Sequence, residues 1–309
     1  MKALLAVFAL CMLPATSQSE DWYPSKYGSE DSLGALNLLS TERVVAASRL
    51  VRSGKTYALG VITGRNSPAF GSRAFNLIVI PGGDGSGAGL GSNQATFNDD
   101  FLASHLGIGT QIDGLGHLGI DNRYYNGVHQ SDFFQPDGLT RFGTHTIPPI
   151  VTRGVLLDIA ALRGVDVLAE GTAINRAEID AAAKRQGVEL REGDVVLFHT
   201  GWQGLAASAP EKFIAGSPGL GMAGAKYLAE LGAVAVGADT WALEVLPPED
   251  PEEAFPVHQL LLAKNGVYIL ENIETAELAA DGAHEFMFVA SAPRFEGAVQ
   301  MVVNPVAIR

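Results

Sequence analysis

The amino-acid sequence predicts a single α/β domain that is rich in strands. Apolar runs of strand length recur along the chain, and those at 154–162 and 267–273 are almost uninterrupted, as expected of strands covered on both faces. Two helix-like segments, beginning at 221 and 256, are each followed directly by such a run. This order favours a sheet with helices packed against it.

The other elements follow from capping and turn residues. A helix is predicted at 40–54, with Ser40 as its cap, and another at 175–187, where Asn175 and Glu178 have the spacing of a capping box. Further strands are predicted at 56–63, 75–82, 194–202, 285–292 and 298–306, and an extended segment at 101–113. No repeat or linker divides the sequence, so one domain is expected.

The composition excludes several classes of protein. Of the 309 residues, 47% are hydrophobic and 18% are charged, a balance typical of a globular protein with a buried core. The net charge of −13 opposes binding to phosphate backbones and to anionic lipid surfaces. A small-molecule substrate is therefore the expected partner, with no nucleic acid and no membrane once the chain is exported.

The N-terminal residues have the pattern of an export signal. A positive residue precedes an apolar run, and Ala15 and Ser17 have the small side chains that a signal peptidase requires. We expect a signal peptide at 1–17, a mature domain at 18–309 and a periplasmic or secreted location; a buried N-terminal helix is the alternative. Cleavage would remove Cys11, the only cysteine, so a metal would be held by nitrogen and oxygen ligands.

The stretch GTQIDGLGH at 109–117 places three polar side chains among glycines. Gln111 and Asp113 are followed by His117, and the glycines allow a turn that points these groups at one small volume. Such a set could bind a metal ion or transfer a proton. The alternative is a polar turn in which Asp113 only caps the backbone.

A second pair of polar residues lies in the C-terminal part of the chain. Glu271 follows the apolar run VYIL, so its carboxylate is expected to be buried, which is costly unless it is paired or binds a metal. His258 follows Pro256 in the first turn of the preceding helix, and the AKNG turn would bring it back beside Glu271. Carboxylate and imidazole ligands suit Zn²⁺, Mn²⁺ or Fe²⁺. A hydrogen-bonded Glu–His pair is the alternative.

Further candidates lie at or near strand ends. His199, with Trp202 in the stretch LFHTGW, could line the same cavity, or it could be a hydrogen-bonded core histidine. Asp239 ends a later strand, where sites of α/β proteins gather, and a turn cap is an equal alternative. For His105 a structural role is favoured over a ligand role.

These residues together resemble the motifs of the cyclase family of metal-dependent hydrolases, which includes bacterial kynurenine formamidase and isatin hydrolase. The family pattern is His-x-Gly-Thr-His-x-Asp-x-x-x-His followed later by a His and Glu pair. GIGTQIDGLGH matches the first part, and His258 and Glu271 match the second. The resemblance covers most of 22–309 and implies a swivelling β/β/α fold that is usually oligomeric, so a homo-oligomer is expected.

The resemblance also implies roles for individual residues. Asp113, His258 and Glu271 would hold a divalent metal, Zn or Mn, and His117 would move protons. Trp22 resembles a family aromatic that contacts the substrate, with simple packing against the core as the alternative. His199 and Trp202 are further candidates for substrate contact from their own sequence context. The chain departs from the pattern at two positions, where Gly107 and Gln111 replace histidines. Gln111 could still offer an oxygen ligand, and one metal is favoured over two.

The expected function is that of an exported metal-dependent hydrolase. It would cleave a carbon–nitrogen bond of a small cyclic amide or aryl formamide, or it would open a lactone. The metal would polarise the carbonyl and activate water, with His117 as general acid and base. A dehydratase or cyclase acting on a hydroxy-carbonyl compound is one alternative, and a non-catalytic binding protein is another.

Overall fold

A mixed α/β architecture is observed in a computed structural model that describes residues 22–82, 87 and 89–309. The predicted fold class is confirmed: one domain is built on a large, strand-rich sheet with helices packed on it. The predicted signal peptide at 1–17, with Cys11, lies outside the described residues.

The strands of the described residues are numbered in chain order. They are β1 (Thr56–Ala58), β2 (Phe75–Pro81), β3 (Asn98–Ser104), β4 (Gln111–Asp113), β5 (Ile150–Asp158), β6 (Ala173–Ile174), β7 (Val195–His199), β8 (Gly219–Leu220), β9 (Ala235–Ala238), β10 (Tyr268–Glu271), β11 (Glu285–Ala290), β12 (Gln300–Val302) and β13 (Val306–Ile308).

The helices are short, and one changes its winding. They are α1 (Thr41–Ser48), α2 (Ile159–Arg163), α3 (Arg176–Gln186), α4 (Leu205–Ser208), α5 (Pro210–Ala215), α6 (Met222–Leu231), α7 (Pro256–His258) and α8 (Ala276–Ala280). The α7 segment continues as a π-helix over Gln259–Lys264, an irregularity that is frequent at functional sites. Within the described part of the chain, no helix has the length and apolar character needed to cross a bilayer.

The main sheet has nine strands in the order β1-β13-β11-β5-β7-β9-β10-β4-β12. Strands β5, β7, β9 and β10 run parallel and form its centre, while the strands on either side pair antiparallel. The central strands are buried along most of their length, as their apolar runs predict. Antiparallel β4 and β12 complete the edge that carries the candidate site described below.

Several predicted boundaries are wrong. The strand predicted at 56–63 ends at Ala58, and the strand predicted at 298–306 is divided between β12 and β13. Two further boundaries are wrong for clear local reasons. The strand predicted at 154–162 ends at Asp158, because the Asp158 carboxylate accepts a hydrogen bond from the backbone N–H of Ala161 (2.8 Å) and caps α2. The helix predicted at 40–54 ends at Ser48, whose hydroxyl donates to the carbonyl of Val45 (2.9 Å). The capping box at the start of α3 is confirmed.

Strands β2 and β3 form a separate two-stranded hairpin, called the arm below. The seven residues of β2 pair antiparallel with the seven residues of β3. The extended segment predicted at 101–113 is therefore divided: its first part belongs to the arm, and its last three residues form β4 in the main sheet.

Candidate active site

The cross-strand pairs of β4 assemble the polar centre of the site. Strand β4 lies between β10 and β12, which places Gln111 opposite Glu271 and Asp113 opposite Gln300. Because residues two apart on a strand share a face, and directly opposite residues do so too, the four side chains meet on one face of the sheet. Ile112 points to the other face and belongs to the hydrophobic core.

Two amide side chains stabilise the buried carboxylates. The Gln111 Nε2 donates to Glu271 Oε2 (2.7 Å) and to Asp113 Oδ1 (3.3 Å). The Gln300 Nε2 donates to the same Asp113 oxygen (2.7 Å). Asp113 and Glu271 are both buried, and such hydrogen bonds offset part of the cost of removing their charges from water.

A third buried carboxylate, Glu244, fixes the orientation of His258. Glu244 accepts hydrogen bonds from the backbone N–H groups of Val257 (3.3 Å) and His258 (3.1 Å), at the start of α7. It also lies in short contact with His258 Nδ1. The other ring nitrogen, Nε2, therefore faces Glu271 Oε1 (3.2 Å) and Asp113 Oδ2 (3.7 Å). A carboxylate behind an imidazole in this way is a common support for a metal-binding histidine.

The cluster carries an excess of negative charge. Burial and the Asp113 carboxylate raise the pKa of Glu271 to about 7. Burial alone would raise the pKa of Asp113, but the nearby imidazoles and the Gln300 amide outweigh it and lower that pKa to about 2. Burial would lower the pKa of His258, but its three carboxylate neighbours raise it well above the usual value. Even with the nearby Arg73 guanidinium counted, two cationic groups face three carboxylates when all of them are ionised.

His117 reaches the same centre from the turn after β4. Its Nε2 lies 3.3 Å from Gln300 Nε2, and its ring centre lies 6.2 Å from that of His258. A side chain at Gly114, the first residue after β4, would come within 2.8 Å of the backbone carbonyl oxygen of Val299, so the tight path of the chain favours glycine there. Burial lowers the pKa of His117, which favours its neutral form.

The residues present fit a divalent cation. Asp113, His117 and His258 each offer a ligand atom within 4.8 Å of the others. Asp113 Oδ2 and Gln111 Oε1 are buried without a hydrogen-bond partner among the described residues. A cation would satisfy both oxygens and balance the excess of carboxylates.

Other side chains fill the space at Gly107, where the family pattern has a histidine. A side chain at Gly107 would come within 2.5 Å of Gln300 Oε1 and 2.9 Å of Arg73 Nη1, so this space is already filled. Arg73 holds its place by donating to the Gly107 carbonyl (2.6 Å). His105 does not compensate, because its Nδ1 accepts from the backbone N–H of Ala74 (2.9 Å) at the foot of the arm.

A cavity of about 160 Å³ opens onto this cluster. One wall is aromatic: Phe70 stacks on Trp241 with ring centres 5.2 Å apart, and Phe255 meets Phe70 edge-on. The polar lining consists of Arg73, His117, His258 and Glu271. The arrangement suits a small, flat molecule with a carbonyl group at one end.

The remaining predicted residues lie elsewhere. Trp22 packs edge-on against Tyr23, and Trp202 is buried with its Nε1 donating to the Phe213 carbonyl (3.0 Å). His199 lines a separate cavity of about 300 Å³, where its Nδ1 bonds to Thr275 Oγ1 (2.7 Å). None of the three is among the described residues that line the 160 Å³ cavity, and their contact with substrate stays a prediction.

Sequence reasoning missed Glu244, Gln300 and Arg73, and also two aromatic residues of the cavity wall, Phe70 and Phe255. Glu244 had a usable signal, since it stands alone between Leu243 and Val245 just as Glu271 stands in its own apolar run. The others had none, because their positions depend on strand register and on the path of the chain before the arm and before α7.

Comparisons with known proteins identify relatives of this fold. The model of a family described as "Putative cyclase" matches residues 57–245. A crystal structure described as a novel cyclase is similar with a TM-score of 0.83 and 32% sequence identity, over 92% of this chain and 98% of that chain. No protein with a curated description matches this chain.

Two isatin hydrolase structures are also similar, both at 18% identity. One is bound to the product analogue thioisatinate, with a TM-score of 0.62 over 87% of this chain and 98% of that chain. The other is isatin hydrolase A from Ralstonia solanacearum, with a TM-score of 0.63 over 88% and 98%. At this identity the likeness shows a shared fold.

The fold and the cluster define a strand-rich α/β protein whose sheet buries a carboxylate–imidazole site fit for a divalent cation. The family match spans more than half of the chain, and the 32% identical cyclase structure is covered almost completely. The chain belongs to the cyclase family.

Proposed function

We propose that this chain is a metal-dependent hydrolase that opens a small cyclic amide or lactone, or cleaves an aryl formamide. The observation that carries the proposal is the Asp113, His117 and His258 cluster, whose ligand atoms lie within 4.8 Å of one another beside an aromatic-walled cavity. The similarity to isatin hydrolase structures supports a cyclic amide as the first substrate to try.

Asp113 and His258, two members of that cluster, would hold one Zn²⁺ or Mn²⁺ ion together with the neighbouring Glu271, and the Gln111 side-chain oxygen would be a further donor. The third member, His117, is assigned to proton transfer instead of metal binding. Such an ion supplies Lewis acidity, which polarises a carbonyl and lowers the pKa of water. Glu244 keeps the His258 Nε2 directed at the ion-binding position, since it occupies the Nδ1 side of the ring. Gln300 holds Asp113 from the opposite strand.

His117 would move the proton. It lines the cavity and stands next to Asp113 through their shared contact with Gln300 Nε2. In the neutral form it can take a proton from water and return it to the leaving nitrogen or oxygen. Proton transfer by a well-placed side chain contributes about 10²–10⁴ to a rate.

Arg73 is the group that would bind a negatively charged oxygen. Hydrolysis of an amide or ester turns a neutral carbonyl group into a carboxylate, and the transition state already carries negative charge on oxygen. Arg73 uses part of its guanidinium to bond to Gly107 and Gln300, which fixes its position and leaves other N–H groups for a ligand. It is the permanent cation among the described residues lining the cavity.

The test is a panel of cyclic amides, lactones and aryl formamides, followed by base consumption at constant pH. A hydrolase releases net acid when it opens a lactone or cleaves an aryl amide or aryl formamide, because the freed aryl amine stays unprotonated near neutral pH. Opening an aliphatic cyclic amide gives a carboxylate and an ammonium with no net acid, so that product is followed by its mass gain of one water. Chelation of the metal should stop the reaction in each case. A dehydratase or cyclase would convert its substrate without consuming base. Binding without turnover across the whole panel would favour the non-catalytic alternative, which the loss of two motif histidines makes the strongest competitor.

The Arg73→Met variant tests the proposed role of Arg73 through its kcat/KM on any substrate that the panel identifies. Hydrogen bonds to a charged group contribute about 1.5–3 kcal/mol, so kcat/KM should fall roughly 10- to 100-fold. Arg65→Met is the matched control, because Arg65 is exposed and lines a different groove. If both substitutions change kcat/KM equally, Arg73 does not bind the substrate.

We also propose that the chain is exported, with Gln18 as the first mature residue. Ala15 and Ser17 supply the small side chains that precede a signal-peptidase cut. Intact-mass measurement on a periplasmic or culture-medium fraction should give the mass of 18–309. Protein that keeps Met1 in that fraction would contradict the proposal.

A further inference from the structure

A second cavity of about 160 Å³ lies away from the candidate active site. Asp194, which lines it, directly precedes β7, whereas Glu271 of the active site is the last residue of β10. Strands β7 and β10 run parallel with β9 between them, so the two cavities lie at opposite ends of these strands. No described residue lines both cavities. The second cavity is therefore a separate site.

Arg153 of β5 lines this second cavity with a side chain that is only 10% exposed. Its Nη2 donates to the Glu189 carbonyl and lies 3.6 Å from Asp194 Oδ2. Its Nε lies 3.3 Å from Glu285 Oε1, yet neither Nε nor Nη1 makes a hydrogen bond to the described residues. Leaving N–H groups of a buried charged side chain unpaired is costly, so the cavity favours a ligand that supplies acceptor oxygens.

Two further arginines, from other parts of the chain, line the same cavity. Arg43 of α1 is held by Glu192, because its Nη1 contacts the Glu192 carbonyl and its Nη2 donates to Glu192 Oε1 (2.7 Å). Arg191 lies in the turn before β7, with a mostly exposed guanidinium. Each guanidinium has more N–H donors than these contacts occupy. A helix, a strand and a turn thus bring three guanidinium groups to one small volume.

The net charge of the cavity depends on Asp194. The three arginines face three carboxylates, so the lining is neutral when all of these groups are ionised. Glu192 and Glu285 are 59% and 38% exposed, and water screens their charges, whereas Asp194 is only 4% exposed. Burial raises the pKa of Asp194 to about 6 against the opposing effect of the three arginines. Protonation of this one buried group leaves the cavity with an excess of positive charge.

We propose that this cavity is a binding site for a small tetrahedral oxyanion, such as phosphate or sulfate. Arginine binds the oxygens of such anions with paired, charge-assisted hydrogen bonds. The anion would accept from Nε and Nη1 of Arg153 and from the remaining donors of Arg43 and Arg191. A tetrahedral anion has an oxygen for each of three guanidinium groups, whereas a carboxylate has only two oxygens. The proposal does not depend on the hydrolase activity, because no lining residue belongs to the active site.

Binding of the anion should be coupled to the protonation of Asp194. An ionised Asp194 would repel the anion, so the complex favours the protonated carboxyl and takes up a proton near neutral pH. Sulfate is the probe for this coupling, because its own charge is constant in this range whereas that of phosphate changes. The affinity for sulfate should rise by up to about tenfold per pH unit as the pH falls from about 8, and should level off below the pKa of Asp194.

Isothermal titration calorimetry of the full chain with sulfate, at low ionic strength and about pH 6, tests the site. Arg43→Met and Arg153→Met should each lower the affinity at least about tenfold, the loss expected for a charge-assisted hydrogen bond. Arg49→Met is the matched control, because Arg49 is exposed at the end of the same helix as Arg43 and does not line the cavity. Circular dichroism confirms that each variant is folded, and the partly exposed Arg43 keeps the test valid if Arg153→Met does not fold.

Asp194→Asn tests the coupling to pH separately. The amide oxygen can still accept the hydrogen bond that Asp194 Oδ2 receives from the backbone N–H of Arg191 (2.7 Å), but the side chain no longer titrates. This variant should bind sulfate at about pH 8 as tightly as the wild-type chain does at about pH 6, with little change between the two.

Three results would overturn the proposal. Absence of saturable sulfate binding to the wild-type chain at about pH 6 would mean that the cavity holds only water. Equal affinities of Arg43→Met and Arg49→Met would place any bound sulfate elsewhere on the surface. Acetate that binds as tightly as sulfate at the same ionic strength would show that the site does not select a tetrahedral anion. If Asp194→Asn keeps the wild-type dependence on pH, the coupling to Asp194 is wrong.

Discussion

Asp113→Ala is expected to empty the metal site and abolish turnover, whereas His117→Ala is expected to keep the metal and lose rate. The two residues share one neighbour, Gln300, but differ in their other contacts. Asp113 faces His258 with a buried oxygen that has no hydrogen-bond partner among the described residues. The nearby imidazoles and the Gln300 amide hold the pKa of Asp113 at about 2, so it would be a charged ligand over the whole useful pH range. His117 lines the cavity, where a substrate would lie.

The measurements are metal content by elemental analysis and kcat/KM on the substrate that the panel identifies. His117→Ala should lower the rate by about 10² or more. Asp132→Ala, an exposed carboxylate outside the cluster, is the control and should leave both quantities unchanged. Loss of metal in His117→Ala would make His117 a ligand. Near-normal behaviour of both variants would mean that the cluster is only structural.

Glu244→Gln is expected to weaken metal binding without removing a ligand. An amide keeps the size of the side chain but loses the charge that holds His258 Nδ1 and two backbone N–H groups at the start of α7. Loss of a residue that orients a metal ligand usually costs about 10- to 100-fold in metal affinity. Full occupancy should return at high metal concentration, because every proposed ligand is still present.

Glu271→Gln is the variant with which Glu244→Gln should be compared, because it replaces a proposed ligand itself. Replacement of a ligand should lower the metal stoichiometry itself, and excess metal should not restore it. Metal titration followed by thermal unfolding, with and without metal, distinguishes the two cases. Glu252→Gln, at an exposed position, is the control. If Glu244→Gln and Glu271→Gln behave alike, Glu244 is not merely a positioning residue.

The parts of the fold that the sequence predicts well are those in which burial decides the residue type. The centre of the sheet is an example, because a strand covered on both faces has to be apolar throughout. The end of β5 is not predicted well. In the sequence Asp158 looks like a single polar interruption of an apolar run, and only the structure shows that it caps a helix. Local hydrogen bonding overrides the apolar pattern at that point.

The residues of the candidate site also divide into those that the sequence predicts and those that it does not. Asp113, His258 and Glu271 could be selected because an ionisable group in an apolar or glycine-rich context has few explanations. Gln300 and Arg73 could not, because an exposed-looking amide and a loop arginine acquire their meaning only from strand pairing and from the packing beside Gly107. Register is a property of two strands, and neither strand encodes it alone.

Strand β4 has three residues, and the first and the last of them both serve the site. It is paired on both sides, so its position along β10 and β12 is fixed in two directions. Adding or removing one residue would exchange the faces and present Ile112 where Gln111 and Asp113 now stand. In this segment the identity of a side chain can change, as Gln111 illustrates, but the length of the segment cannot.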